Sequence, residues 1–253
     1  MTEEKPSLTR LLIAISIAIL AVSTSSIFIR FAQEEASSLA IAASRLLLAS
    51  LFLAPPALIK HRAELRNLSR KDLALGLLSG IFLAIHFATW ITSLEFTTIT
   101  NSVVLVSTSP LWVAILAPIF LKEKLTKSII FGMILTLAGG TIIGFSEGCI
   151  WNSGIVCASR SGFELAEASR GNFLALAGAW AIAGYLLIGR NLRAKMALIP
   201  YIFLVYGMSA IAMLVILFFS GETLFGYSPI TYLWLLLIAI FPQLIGHSTY
   251  NWA

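Results

Sequence analysis

Charged residues are scarce in this sequence. Asp, Glu, Lys and Arg make up 11% of its 253 residues, whereas hydrophobic residues reach 58%. A water-soluble globule of this length needs far more polar surface, so the implied solvent is lipid. Carboxylates are rarer still at depth: all 12 Asp and Glu fall in the N-terminal tail, the loops or the ends of apolar runs. That leaves no paired acids for intramembrane catalysis and disfavours an Asp- or Glu-based proton relay. Two Cys and three His are too few and too scattered for a metal site, and no metal or other cofactor is expected. No P-loop pattern is present, which argues against an ATP-driven pump within this chain. An enzyme is therefore not expected, and period-two alternation, the signature of a membrane barrel, is absent.

What the chain does have is long apolar runs. Backbone groups in hydrocarbon must be satisfied within the chain, and runs of about 20 residues satisfy them as helices. Eight runs stand out: 11–29, 39–59, 73–94, 99–121, 129–145, 173–188, 197–219 and 230–253. Most links between them are short, and the one long link covers 146–170. Lys5 and Arg10 before the first run, with Ala21-Val22-Ser23 inside it, imitate a secretory signal. Apolar character continues through Ile27, Phe28 and Ile29, so this run is read as a retained span.

Positive charge orients the helices, because cytoplasmic loops carry the excess of Lys and Arg. With the N-terminus inside, the inner segments hold Lys5 and Arg10; Lys60, Arg62, Arg66, Arg70 and Lys71; Lys122, Lys124 and Lys127; and Arg190, Arg193 and Lys195. The outer segments hold only Arg30, Arg160 and Arg170. The net charge of +5 is thus a topological signal, and no nucleic-acid partner is implied. The expected location is the inner (plasma) membrane, multi-pass, with the N-terminus cytoplasmic.

The chain also carries a faint internal repeat. An offset of about 160 residues lays the first helix on the sixth, bringing Arg30 onto Arg190, and lays the third on the eighth. Trp90 to Ser93 then meet Tyr250 to Ala253, and His86 falls within one position of His247. Five helices per unit place the second unit in inverted topology, an architecture of secondary transporters with a site between repeats.

The fourth and fifth helices read NSVVLVSTSPLWVAILAPIFLKEKLT from Asn101 to Thr126, with Pro110, Trp112, Pro118 and Glu123, followed by Gly132, Gly139, Gly140 and Gly144. The second reads SLAIAASRLLLA from Ser38, with Arg45 inside it. These segments resemble the EamA-type permeases of the drug/metabolite transporter superfamily. The resemblance implies an all-α integral membrane fold, an inverted repeat of five-helix units with ten helices, and both termini cytoplasmic. It further implies transport of amino acids, related metabolites or drugs. On this pattern residues 1–146 form the first repeat, 147–170 an extracytoplasmic loop, and 171–253 a second repeat truncated in its third helix. About eight of the ten helices are then present, and about 50 residues of the repeat are lacking.

Site candidates follow from polar residues at membrane depth. Arg45 lies about 10 Å into its helix. Either it snorkels or pairs with a loop acid such as Glu34 or Glu95, or it binds an anionic substrate group. His86, Trp90 and Ser93 share a helical face, as do Asn101, Thr108 and Trp112, and as do Gln243, His247 and Tyr250. These stripes suit a cavity with few polar groups in apolar walls, with interhelical hydrogen bonding as the alternative. Gly76 with Gly80, and Gly140 with Gly144, read as close-packing pairs. Pro110, Pro118 and Pro242 read as kinks. Cys149 and Cys157, both in the long link, are either joined in a disulfide or free thiols.

The function expected is a secondary transporter moving a small metabolite, amino acid or drug-like molecule by alternating access. A channel, a structural membrane subunit or an intramembrane enzyme are the alternatives. Expected partners are the substrate, the lipid bilayer and a second copy in a homodimer.

Overall fold

Apolar length and end signals together decide where the helices of this chain begin and stop. The computed structural model describes residues 7–122, 124–146, 149–151, 155–157 and 162–253. In chain order the helices are α1 (Leu8–Ser23), α2 (Ser25–Ala32), α3 (Ser38–Lys60), α4 (Arg62–Arg66), α5 (Arg70–Phe96), α6 (Ile99–Val106), α7 (Ser109–Phe120) and α8 (Lys127–Ser146). They continue with α9 (Gly162–Arg193), α10 (Leu198–Ser220), α11 (Pro229–Ile238), a π-helical segment Ala239–His247, and α12 (Ser248–Trp252). A two-stranded antiparallel hairpin, β1 (Cys149–Trp151) with β2 (Ile155–Cys157), interrupts an otherwise all-helical chain. Among the described residues seven helical stretches are long and apolar enough to cross a membrane, and the shorter apolar helix Lys127–Ile142 accounts for the remaining run.

Local chemistry explains the breaks. Ser23 Oγ donates to the Ile19 carbonyl at 2.8 Å and Thr24 Oγ1 to that of Ala21 at 2.8 Å. These back-bonds compete with the helix ladder where α1 gives way to α2. The fourth run is likewise split: Thr108 Oγ1 bonds the Leu105 carbonyl at 2.6 Å, and Pro110, lacking an N–H, sits in the first turn of α7. Pro110 therefore starts a helix, whereas Pro118 and Pro242 lie inside helical segments. The sixth run extends much further than its apolar stretch, because α9 begins at Gly162 in residues that favour helix but are polar.

The chain divides into two compact units. The first comprises Met1–Gly80 and Leu192–Ala253, the second Ile81–Asn191. In the first, α3 packs along α10, and the π segment packs on α1 and α3. Ala42, Ala43 and Ala49 of α3 and Val205, Ala210 and Met213 of α10 are buried in the core, while Leu51, Phe52 and Ile59 of α3 are exposed. Such exposed apolar residues suit a lipid-facing surface. Gly80 is needed for close approach: a Cβ there would lie 2.7 Å from Met208 Cβ and 2.9 Å from the Ser209 backbone nitrogen. Gly76 meets only the flexible end of Leu204.

Carboxylates tie the helix ends of this unit. Ala197 caps α10 without a side-chain hydrogen bond of its own, and its N–H donates instead to Glu64 Oε1 at 2.7 Å. Nearby, Lys195 Nζ meets Asp72 Oδ1 at 2.9 Å. At the opposite end of α3, Glu35 Oε2 accepts from the Ser228 N–H at 2.8 Å and from Thr231 Oγ1 at 3.0 Å. This binds the start of α11 to the α2–α3 link. The Ser228 N–H, followed by the Ser228 and Thr231 side chains, holds the Glu35 carboxyl below its ordinary pKa.

In the second unit, α8 packs against α6 and α7, and the C-terminal part of α5 meets α9. Gly178 of α9 brings a Cβ position to 3.2 Å from Trp90 Cβ. Gly140, read as a close-packing glycine, makes only an ordinary contact of 3.8 Å with Thr108 Cγ2.

Candidate functional site

A buried polar cluster occupies the core of the first unit. Arg45 is 0% exposed and is retained in the core, not extended to a surface. Its Nε donates to Gln243 Oε1 at 2.6 Å and its Nη1 to Ser25 Oγ at 3.0 Å. Because arginine can only donate, the Gln243 amide must turn its oxygen toward Arg45. Two hydrogen bonds to a charged group, at about 1.5–3 kcal/mol each, offset the cost of about 2.5–3.5 kcal/mol for a central arginine. Ser248 Oγ donates to the Gln243 carbonyl at 3.3 Å, so at its 3.4 Å contact with Tyr206 the phenol is the donor. The Tyr206 hydroxyl also faces the side chains of Gln243 and Asn251.

The π-helical segment positions Gln243. It widens the turn around Pro242, and the remaining members of the expected stripe diverge: Gln243 is fully buried while Tyr250 is 41% exposed. His247 and Tyr250 meet edge to face at 6.4 Å.

The second unit holds its own set. A backbone carbonyl can only accept, so the 2.9 Å contact between His86 Nδ1 and Gly178 O fixes the proton on Nδ1. The His86 ring stacks on Trp90 with centroids 5.9 Å apart. Trp90 Nε1 is buried with no hydrogen-bond acceptor among the described residues. Ser93 Oγ donates to the Trp90 carbonyl at 2.6 Å, which leaves Ser102 as donor in the 2.6 Å Ser93–Ser102 pair. Asn101 is buried, its N–H capped by Thr98. Trp112 Nε1 donates to Thr108 Oγ1 at 3.3 Å, and its ring meets Trp180 edge to face. These contacts are mostly local or between neighbouring helices.

A cavity of about 560 Å³ also lies in this unit. It falls within the range of small-molecule pockets and is lined by another part of α7 and by α8, including Pro110, Ala114, Ala117, Met133 and Thr136, with Lys124. None of the expected path residues lines it. Cys149 and Cys157 are cross-strand partners in the hairpin, but their side chains lie outside the described residues, as does Glu123. Ser25, Tyr206 and Ser248 were missed by the sequence reading. Each is a hydroxyl within an apolar run, Ser25 and Ser248 beside other hydroxyl residues, and only the partner across the fold distinguishes it from an ordinary helix hydroxyl.

Comparison with known proteins decides the family. The model of the EamA-like transporter family matches residues 9–145, more than half of the chain. The chain belongs to this family. An EamA-like protein with seven candidate spans among its described residues is a multi-pass membrane transporter, and its family is one of transporters and not of enzymes. No curated protein matches the sequence significantly. The crystal structure of another protein is similar over 97% of this chain and 78% of its own, at 15% identity and a TM-score of 0.65. At that identity the likeness shows the fold of the transporter alone.

Proposed function

We propose that this transporter is a permease that carries a small metabolite, amino acid or drug-like molecule by alternating access, with the N-terminus in the cytoplasm of a cell bounded by this membrane. The support is the family together with one observation: fully buried polar side chains, Arg45 and Gln243 above all, inside an otherwise apolar chain that has no catalytic constellation among its described residues. The repeat layout of residues 1–146 and 171–253, the extracytoplasmic loop 147–170, the homodimer and a Cys149–Cys157 disulfide belong to the same reading. The cross-strand register of the two cysteines supports the last of these.

Within this reading His86, Trp90, Asn101, Thr108, Trp112, Gln243, His247 and Tyr250 contribute to the substrate path. Arg45 either binds an anionic group or positions Gln243. The buried Trp90 Nε1 offers a donor to a substrate acceptor. The test is uptake into proteoliposomes, with a screen of labelled amino acids and metabolites followed by alanine variants. Replacing Trp90, His247 and Tyr250 together should lower turnover or raise half-saturation at least tenfold with unchanged insertion. Unchanged rate and half-saturation would show that these residues only pack helices. Saturation with competition between substrates separates a carrier from a channel.

A further inference from the structure

A second polar site lies in the first unit, adjoining the buried Arg45 cluster at Ser248. The starts of α1 and α10 and the end of α12 enclose an open cleft of about 360 Å³, lined by Arg10, Ala14, Leu198, Leu244, Ser248, Thr249 and Trp252. Arg10 is exposed, and its guanidinium lies 5.7 Å from the centroid of the Trp252 ring, within cation–π range. Its backbone N–H is used by the Ser7 cap, whereas no carboxylate among the described residues forms an ion pair with its side chain. Arg193 steadies the aromatic wall: its Nε donates to the carbonyl of Asn251, next to Trp252, at 3.2 Å. Its Nη1 bonds the Met196 carbonyl. Two acids near the start of α10 are already engaged, Glu64 with Ala197 and Asp72 with Lys195.

The chemistry of the cleft is divided. One part presents a planar cation held over an indole, with the hydroxyls of Ser248 and Thr249. The other, Ala14, Leu198 and Leu244, is aliphatic. A guanidinium recognises phosphate with parallel donors, a tryptophan level with the starts of α1 and α10 suits the headgroup level of a bilayer, and aliphatic walls suit the first carbons of acyl chains. A free inorganic anion would use only the polar part.

We propose that this cleft binds the phosphate of an anionic phospholipid, with Arg10 as the principal contact and Trp252 as the wall that fixes it. The choice of leaflet rests on the cytoplasmic orientation given above, since that surface carries anionic lipid. Binding itself is read in detergent, where orientation plays no part, so the two readings fail separately.

The experiment uses the full chain in neutral detergent and follows its thermal unfolding by circular dichroism. Short-chain phosphatidylglycerol should raise Tm by about 5 °C, and phosphatidylcholine by less than about 1 °C. Arg10→Gln and Trp252→Leu should each abolish the difference between the two lipids. Arg62→Gln, which removes the same charge from an exposed position elsewhere, should keep it. Native mass spectrometry gives an independent reading, with phosphatidylglycerol retained on the wild type and lost from Trp252→Leu. An undiminished shift in Arg10→Gln would overturn the site, and an equal shift with phosphatidylcholine would reduce it to apolar filling. Reproduction of the shift by inorganic phosphate alone would overturn the lipid and leave a site for the free ion.

Discussion

Arg45 and Gln243, separated by 198 positions in sequence, are joined by a 2.6 Å hydrogen bond in the core of the first unit. The bond makes each side chain dependent on the other. Gln243→Leu strands Arg45 Nε in an apolar core and should destabilise by about 1–3 kcal/mol. Arg45→Met alone strands the Gln243 oxygen. The double variant removes both polar groups and should be closer to wild type than the sum of the singles, because paired buried groups can be exchanged for apolar ones at little cost. Unfolding in mixed micelles, analysed as a double-mutant cycle, measures the coupling. Additive effects would mean that the bond contributes nothing.

Arg45→Ala separates the two roles left for that residue. With normal expression, loss of transport confined to anionic substrates supports binding. Loss of expression supports the positioning of Gln243 and Ser25.

The Glu35 link to Ser228 and Thr231 should depend on pH. Its folded pKa lies below the ordinary glutamate value, so the ionised carboxylate favours the folded state above the unfolded pKa. This contribution is lost as pH falls through the folded value. The difference in Tm between wild type and Glu35→Gln should therefore be present at pH 7 and shrink on acidification below about pH 4. A difference independent of pH would exclude the carboxylate as its cause.

Close approach at Gly80 leads to a contrast between two glycines. Gly80→Ala forces its new methyl onto Met208 Cβ and the Ser209 backbone, and should cost about 1–3 kcal/mol through overpacking. Gly132 has open space around its Cβ position, so Gly132→Ala should be neutral or slightly stabilising through helix propensity. Equal effects at the two positions would refute the packing account.

Orientation is open to labelling. With the native cysteines replaced by serine, a cysteine at Asn67 should be protected from an impermeant thiol reagent in intact cells and one at Thr223 labelled. The opposite pattern would invert the assigned topology.

Apolar length made the spanning segments legible, and the distinctive Ser38–Ala49 and Asn101–Thr126 stretches pointed to the family that residues 9–145 match. Three features were not legible for physical reasons. The Ser25–Arg45–Gln243 contacts join residues 20 and 198 positions apart, which no helical periodicity reports. The π segment Ala239–His247 has the same apolar composition as an α-helix, so the spacing of Gln243, His247 and Tyr250 could not report the wider turn. The N-terminal extension of α9 carries Glu164, Glu167 and Arg170, which a hydropathy reading assigns to a loop although the backbone continues as helix.

The first unit is assembled from two stretches of chain interrupted by Ile81–Asn191, and this sets an order on biosynthesis. At about 5–20 residues per second, roughly 10–40 s separate the synthesis of Arg45 from that of Gln243. Throughout that interval α3 holds a cation whose glutamine partner has not been made. The nascent protein must therefore shelter Arg45 by local water, by its neighbour Ser25 or by a transient position nearer the membrane surface. Arrival of the π segment then closes the core from the C-terminal side, which makes the last helices of this unit the step that commits the first ones to their final depth.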